Sequence, residues 1–188
     1  MRLQTLNWVD VSKKLLLIIF LYPLISISQE KTNVHFSIDS LVDNINVISK
    51  GKTKTYTRHK TSNGHRMKEE WEYFDNNKLS KISIEYKIDS TKYTERYYLR
   101  NGVLIYASEG IKYLFPSLGP NDYTIWSGDF YFVKEKLDYY VTLGHGKSEL
   151  DNWEPEKENL QRFKKRKAEL ALLKQRLHPI RNLHFMFQ

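Results

Sequence analysis

The chain has 188 residues, 40% of them hydrophobic and 14% aromatic, with no cysteine and a formal net charge of +8. That length and apolar content suffice for one domain with a packed core. The lack of cysteine excludes disulfides, thiol nucleophiles, iron–sulfur clusters and cysteine-bearing zinc sites. Removing residues 1–28 would take away Arg2, Lys13, Lys14 and Asp10 and leave +6, a mild basic excess for which no nucleic-acid partner is expected.

Lys13-Lys14 precede the apolar run Leu15–Ile25, which is followed by Ser26-Ile27-Ser28. Basic residues, an apolar stretch and small residues before a cut have the order of a secretory signal peptide. The run is short and broken by Pro23, so it makes a poor transmembrane span. The expectation is export after cleavage before Gln29, to the periplasm or the medium. No cysteine stands at the cut, so a lipoprotein is not expected. Residues 29–188 then form a single mature domain.

Residues 29–38 read as extended, with Val34, Phe36 and Ile38 alternating. Asp39 or Ser40 can cap a short helix whose apolar side carries Leu41, Ile45 and Ile48, and Lys50-Gly51 can end it. This helix is expected as a lid on an apolar sheet face. Residues 52–61 alternate cations with threonines, as Lys52, Lys54, Arg58 and Lys60 against Thr53, Thr55 and Thr57. That composition fits an edge strand guarded by lysine, or an anion-binding strip.

From residue 52 to 143 the chain reads as an antiparallel meander. Asn63-Gly64 and Asn101-Gly102 are strong two-residue hairpin signals, because such turns need positive φ. They set Arg58 opposite Glu69, Tyr56 opposite Trp71, Leu99 opposite Leu104 and Tyr97 opposite Tyr106. A turn at Asn76-Asn77 sets Trp71 opposite Ile82 and Glu72 opposite Lys81. One at Ser90-Thr91 sets Ile84 opposite Tyr97 and Glu85 opposite Arg96. A last turn at Glu109-Gly110 sets Tyr106 opposite Tyr113. Side chains alternate along strands, and these registers gather Trp71, Tyr73, Ile82, Ile84, Tyr86, Tyr97, Leu99, Leu104 and Tyr106 on one face. Lysines, glutamates and threonines occupy the other.

Three units repeat within this region: Tyr73-Phe74-Asp75-Asn76-Asn77-Lys78-Leu79, Tyr98-Leu99-Arg100-Asn101-Gly102-Val103-Leu104 and Tyr131-Phe132-Val133-Lys134-Glu135-Lys136-Leu137. The first two resemble the MORN-like variant repeats of bacterial secreted proteins, which carry Tyr-Tyr-x-Asn-Gly-Lys-Leu hairpins. The later glycines of a regular repeat are missing, and the spacing is 25 residues and then 33. The resemblance implies a repeat-built sheet for binding or scaffolding and assigns no catalytic residue.

Pro116–Asp122 reads as a loop, and Tyr123–Trp126, Phe130–Lys134 and Leu137–Leu143 as three further strands, with turns at Ser127-Gly128-Asp129 and Glu135-Lys136. Residues 155–177 form the longest expected helix, acidic at its start and basic at its end as the macrodipole favours. Its apolar stripe is Leu160, Phe163, Leu170, Leu173 and Leu177. The tail Leu183-His184-Phe185-Met186-Phe187 is apolar enough to dock on the sheet or a partner. The expected fold is therefore α+β: a curved up-and-down meander of about eight or nine strands with a short N-terminal and a long C-terminal helix.

No chemical constellation stands out. The six histidines are scattered and none lies in a His-Glu-x-x-His context. There is no Gly-x-Ser-x-Gly nucleophile motif. Gly144-His145-Gly146-Lys147-Ser148 would need a glycine at position 141 to complete a phosphate loop, and that residue is Val141. No cofactor, metal or catalytic residue is assigned. The expected function is non-catalytic binding or scaffolding at the cell envelope, through an unknown envelope protein. One alternative is a periplasmic carrier of a lipid or other apolar ligand, held on a face of Trp71, Tyr73, Tyr86, Tyr97 and Tyr106. A second is a hydrolase with an unrecognised site. The run Arg162, Lys164, Lys165, Arg166 and Lys167 is a candidate surface for an anionic partner.

Overall fold

A computed structural model describes residues 34–62, 64–114 and 123–177. The leader 1–28, the loop 116–122 and the tail 183–187 lie outside the described residues. Contacts divide the chain into two units, Met1–Leu41 and Val42–Gln188. The second holds a single antiparallel sheet of seven strands in sequential order. They are β1 (Lys54–Ser62), β2 (His65–Asn76), β3 (Lys78–Ile88), β4 (Thr91–Arg100), β5 (Val103–Tyr113), β6 (Tyr123–Val133) and β7 (Lys136–Gly144). Helix α1 covers residues 34–49 and α2 is Pro155–Leu177. The fold is α+β with an up-and-down meander.

Seven strands, not eight or nine, follow from two glycines that do not turn the chain. Glu109 and Gly110 lie inside the continuous strand β5, where a Cβ on Gly110 would come within 2.6 Å of Thr94 Oγ1. Gly128 lies inside β6, where a Cβ would meet the Phe130 ring at 2.8 Å. Both glycines make room for a neighbouring side chain, which a turn reading of Gly mistakes for a break. Tyr106 therefore faces Tyr131, not Tyr113.

Registers at the strong turns hold as expected: Arg58 faces Glu69, Tyr56 faces Trp71 and Leu99 faces Leu104. Elsewhere the slips are instructive. The turn expected at Ser90-Thr91 moves back to Asp89, which adopts φ 52°. A short acid side chain tolerates that region better than Ser or Thr. Glu85 then faces Thr94 and Ile84 faces Glu95. Trp71 faces Ile84, and Glu72 faces Ser83 rather than Lys81. These are two-residue slips, so each side chain keeps its face.

A one-residue bulge does change faces. The return strand of each repeated unit bulges just after its leucine: Asp75 pairs Leu79 but Phe74 pairs Lys81, Leu99 pairs Leu104 but Tyr98 pairs Tyr106, and Phe132 pairs Leu137 but Tyr131 pairs Tyr139. Tyr106 is thereby turned away from Tyr97, which faces Ala107 instead. The inner face keeps Trp71, Tyr73, Ile82, Ile84, Tyr97, Leu99, Leu104, Ala107, Phe130 and Phe132, packed under Phe163 and Leu170 of α2. The outer face gains an unbroken row, Phe74–Lys81–Tyr98–Tyr106–Tyr131–Tyr139.

The N-terminal helix covers that outer row. Ile45, Val42 and Ile48 pack with Phe74, Tyr98, Ile105 and Tyr106. The lid was expected on the other face. Asn46 Oδ1 accepts hydrogen bonds from Lys81 Nζ and Tyr98 Oη, each at 2.9 Å. The helix also includes residues 34–38, expected as extended: Val34, Ile38, Val42, Ile45 and Ser49 continue the three- and four-residue spacing that overrides the short alternation. It ends as expected at Gly51, with φ 71°.

Past β7 the chain folds back over the inner face. Gly144 has φ 86°, and a Cβ there would collide with the Ile125 carbonyl. Gly146 lets the loop lie on Trp126, while Trp153 packs edge-on to Trp126 and Tyr140. Gly64→Ala, also at positive φ but in open space, should cost about 1–2 kcal/mol from conformation alone. Gly144→Ala should cost clearly more in a urea-denaturation comparison, and equal costs would contradict the close approach.

Candidate functional site

The inner face carries three glutamates among its aromatics. Period-two alternation puts Glu69 with Met67 and Trp71, Glu95 with Tyr93 and Tyr97, and Glu109 with Ala107 and Ile111. All three are buried. A buried carboxylate must be paired or it is strongly disfavoured, and α2 supplies the partners. Residues 159, 162, 163, 166, 169 and 170 fall along one side of a helix, which sets Arg162, Arg166 and Glu169 beside Phe163 and Leu170.

Arg166 is the centre of the cluster. Its Nε and Nη2 donate to Glu95 Oε2 and Oε1 at 2.8 and 2.6 Å, a two-pronged pair. Its Nη1 donates to Glu169 Oε2 at 3.0 Å and reaches Glu69 Oε1 at 3.5 Å. Tyr97 Oη also donates to Glu95 Oε2 at 3.0 Å. Glu69 is completed by Arg58 Nε at 2.8 Å and by Trp71 Nε1 at 3.1 Å. The Trp71 ring stacks against both guanidinium groups, with Arg58 at 5.2 Å and Arg166 at 5.5 Å. Next along the helix, Arg162 pairs with Glu109, whose other oxygen accepts from Lys147 Nζ at 2.7 Å.

A small cleft of about 210 Å³ opens beside this cluster. Glu95 and Glu109, direct cross-strand neighbours, are among its lining residues. Arg162, Lys147 and the pair Tyr86 and Tyr93, stacked at 5.0 Å, also line it. Burial pushes the Glu95 carboxyl up, but the hydrogen bonds and charge of Arg166, the charge of Arg162 and the Tyr97 hydroxyl outweigh it and hold it below the usual carboxylate range. A general acid needs the opposite shift. Burial raises the Tyr86 and Tyr97 hydroxyls, with the Glu95 charge adding to it, so neither is poised as a base. The cluster is arranged to hold charges still and to dock α2. Among the described residues, no group of three or more acids or histidines is placed to hold a metal.

The residues singled out from sequence divide differently. Trp71, Tyr73 and Tyr97 are closed within the core under α2, and Tyr86 lies at its margin. Tyr106 is on the opposite face, where its hydroxyl donates to Asp129 Oδ1 at 2.6 Å. The five do not form one ligand face. Of the basic run, Arg162 and Arg166 turn inward onto glutamates, while Lys164, Lys165 and Lys167 stay exposed. Lys167 reaches the Gly102 carbonyl at 3.2 Å. The run is therefore half anchor and half solvated surface. Glu158 pairs Arg162 as the four-residue spacing suggests, but Glu169 turns to Arg166 and Arg58 and not to Lys165. Lys147 of the glycine-rich segment serves Glu109, and Ser148 Oγ accepts from Trp126 Nε1 at 3.3 Å.

Comparison with family models, with curated proteins and with solved structures finds no match for the chain.

Removing one partner of a buried pair leaves the other charge stranded. Arg166→Met should destabilise by about 3–5 kcal/mol. Glu95 and Glu169 are both held below their ordinary value of 4.5, so their contribution is full above that pH and is lost as the pH falls below it. Denaturant titrations through the acid range should show the native protein losing stability below about pH 4.5 and Arg166→Met losing less. An acid limb of equal slope in both would refute the assignment.

Proposed function

We propose that the chain is an exported, non-catalytic binding module of the cell envelope, which accepts an extended segment of a protein partner along the open edge of β7. The observation that carries this reading is the character of that strand. β7 is last in the sheet order, and Tyr139, Tyr140, Val141 and Leu143 on it are between 44% and 70% exposed. An edge strand presents unpaired backbone donors and acceptors, and proteins guard such edges with charge, bulges or cover. The opposite edge, β1, is guarded by Lys54 and Lys60. On β7 the two charges, Lys136 and Asp138, crowd one end, and Glu156 of α2 accepts from the Leu137 amide at 2.9 Å. From Tyr139 to Leu143 the side chains alternate, Tyr139 beside Tyr131 on the outer face and Tyr140 beside Phe130 on the inner, and the apolar ones stay largely exposed. An added strand would find both hydrogen-bonding partners and apolar contacts there.

Export rests on the signal-like order of residues 13–28. The repeated hairpin units and their resemblance to MORN-like repeats favour binding or scaffolding over chemistry. The carrier alternative needs an apolar cavity, whereas charged groups line the cavities of about 570 and 210 Å³. The hydrolase alternative needs a carboxyl raised toward neutral pH, and Glu95 is held the other way.

Val141→Lys with Leu143→Lys places charge on the edge without touching the core. With a photo-reactive residue at position 140, the protein in its own envelope fraction should crosslink to one defined partner. The double variant should lose that crosslink while its melting temperature stays unchanged. Crosslinks that survive the lysines would rule out the edge, and an intact mass that retains residues 1–28 would rule out processing.

A further inference from the structure

The outer face of the sheet has two ends. One is the aromatic row beneath α1. At the other, register brings like charges together: Lys87 faces Lys92, and Lys92 faces Lys112. Continuing the pairing of Glu69 with Tyr86 by one residue sets Lys68 beside Lys87. Four lysines thus stand in a line across β2, β3, β4 and β5. Like charges directly opposite one another destabilise a sheet, so the line is a standing cost in the free protein.

Two of the four are locally answered, Lys68 by Glu70 at 2.7 Å and Lys92 by Glu85 at 2.8 Å. Lys87 and Lys112 are exposed and form no ion pair among the described residues. A second, independent feature coincides with the line. An open groove of about 570 Å³ lies over β2–β4, with Arg66, Lys68, Lys87 and Lys92 among its lining groups. Glu70, Glu85 and Asp89 also line it, so cations outnumber acids there even before Lys112 on the adjoining strand is added.

We propose that this groove binds a linear anionic glycan laid across the strands. The lysines succeed one another at the strand spacing, about 4.8 Å, over a line of about 14 Å. A single phosphate would engage one or two of them, whereas a chain of anionic groups engages the whole line. Lysine presents a compact point charge on a flexible stem and not a rigid fork, which suits charge density over one fixed geometry. Binding relieves the repulsion within the line and weakens with salt. The proposal is independent of the β7 edge, which lies two strands beyond Lys112.

The test uses the purified protein with a size-defined heparin oligosaccharide as probe, inorganic phosphate as the monomeric anion and phosphatidylglycerol-containing vesicles as the membrane surface. Titration calorimetry at low salt should detect the oligosaccharide and not the phosphate. Lys87→Glu with Lys112→Glu should weaken it at least about tenfold. Lys164→Glu with Lys165→Glu, which changes net charge equally on α2, should leave it within about twofold. Equal losses in the two double variants would reduce the effect to net charge and overturn the site. So would no binding at low salt, or binding to vesicles without the oligosaccharide.

Discussion

Arg166 and the carboxylates it joins determine how the two layers of this protein fit together. The sheet offers glutamates at apolar-face positions on β2, β4 and β5, and none could remain there ionised without a partner. The helix offers arginines one turn apart on the side that also carries Phe163 and Leu170. Sliding α2 by one turn would bring Arg166 to the place of Arg162, leaving Glu95 without its two-pronged donor and Glu69 without its contact to Arg166. Apolar packing alone tolerates such a slide, because Leu and Phe are interchangeable within limits of volume. The buried charges do not tolerate it. Their net contribution to stability is small against well-packed apolar residues of the same size, so we attribute to them chiefly the choice of one docked position.

That arrangement was half legible in the sequence. The register set by Asn63-Gly64 holds, with Arg58 opposite Glu69, while that of Asn101-Gly102 holds for Leu99 and Leu104 and is lost at the bulge before Tyr97. Parity alone would have placed Glu95 between Tyr93 and Tyr97 on the core face. Charge is the stronger signal, and it marks the basic run on α2 as a surface instead. Three features were out of reach for physical reasons. A bulge costs one residue and leaves no compositional mark, yet it moved Tyr106 to the other side of the sheet. Gly110 and Gly128 are there for lack of a side chain and not for a turn, and the letter is the same. The face that α1 covers depends on the row those bulges create, so it could not be read before them.

The two faces and two edges of the sheet have been given different tasks by very few residues. Inside, aromatic rings and paired charges close against α2. Outside, one end is capped by α1 through Asn46, and the other is open and cationic. One edge is guarded by lysine, the other is apolar. Each of the three repeated hairpins contributes in the same way: a leucine inward, one bulged residue, then a member of the outer row. Lys81, Tyr106 and Tyr139 are therefore equivalent positions of one pattern, although only Lys81 is not a tyrosine.

The path of α2 has a mechanical consequence. Its first turn holds the start of β7 through Glu156 and Leu137, its middle holds β5, β4 and β2 through Arg162 and Arg166, and its last turns reach the end of β2 through Lys174 and Asp75 at 2.6 Å. A meander without such a strap peels from its ends, each strand leaving its neighbour in turn. Here β2, β4, β5 and β7 are each tied to the helix, so none of these four leaves alone. A load that would part neighbouring strands is shared by ties that are separated by many residues along the chain. Under such a load the sheet should yield as a unit, not strand by strand.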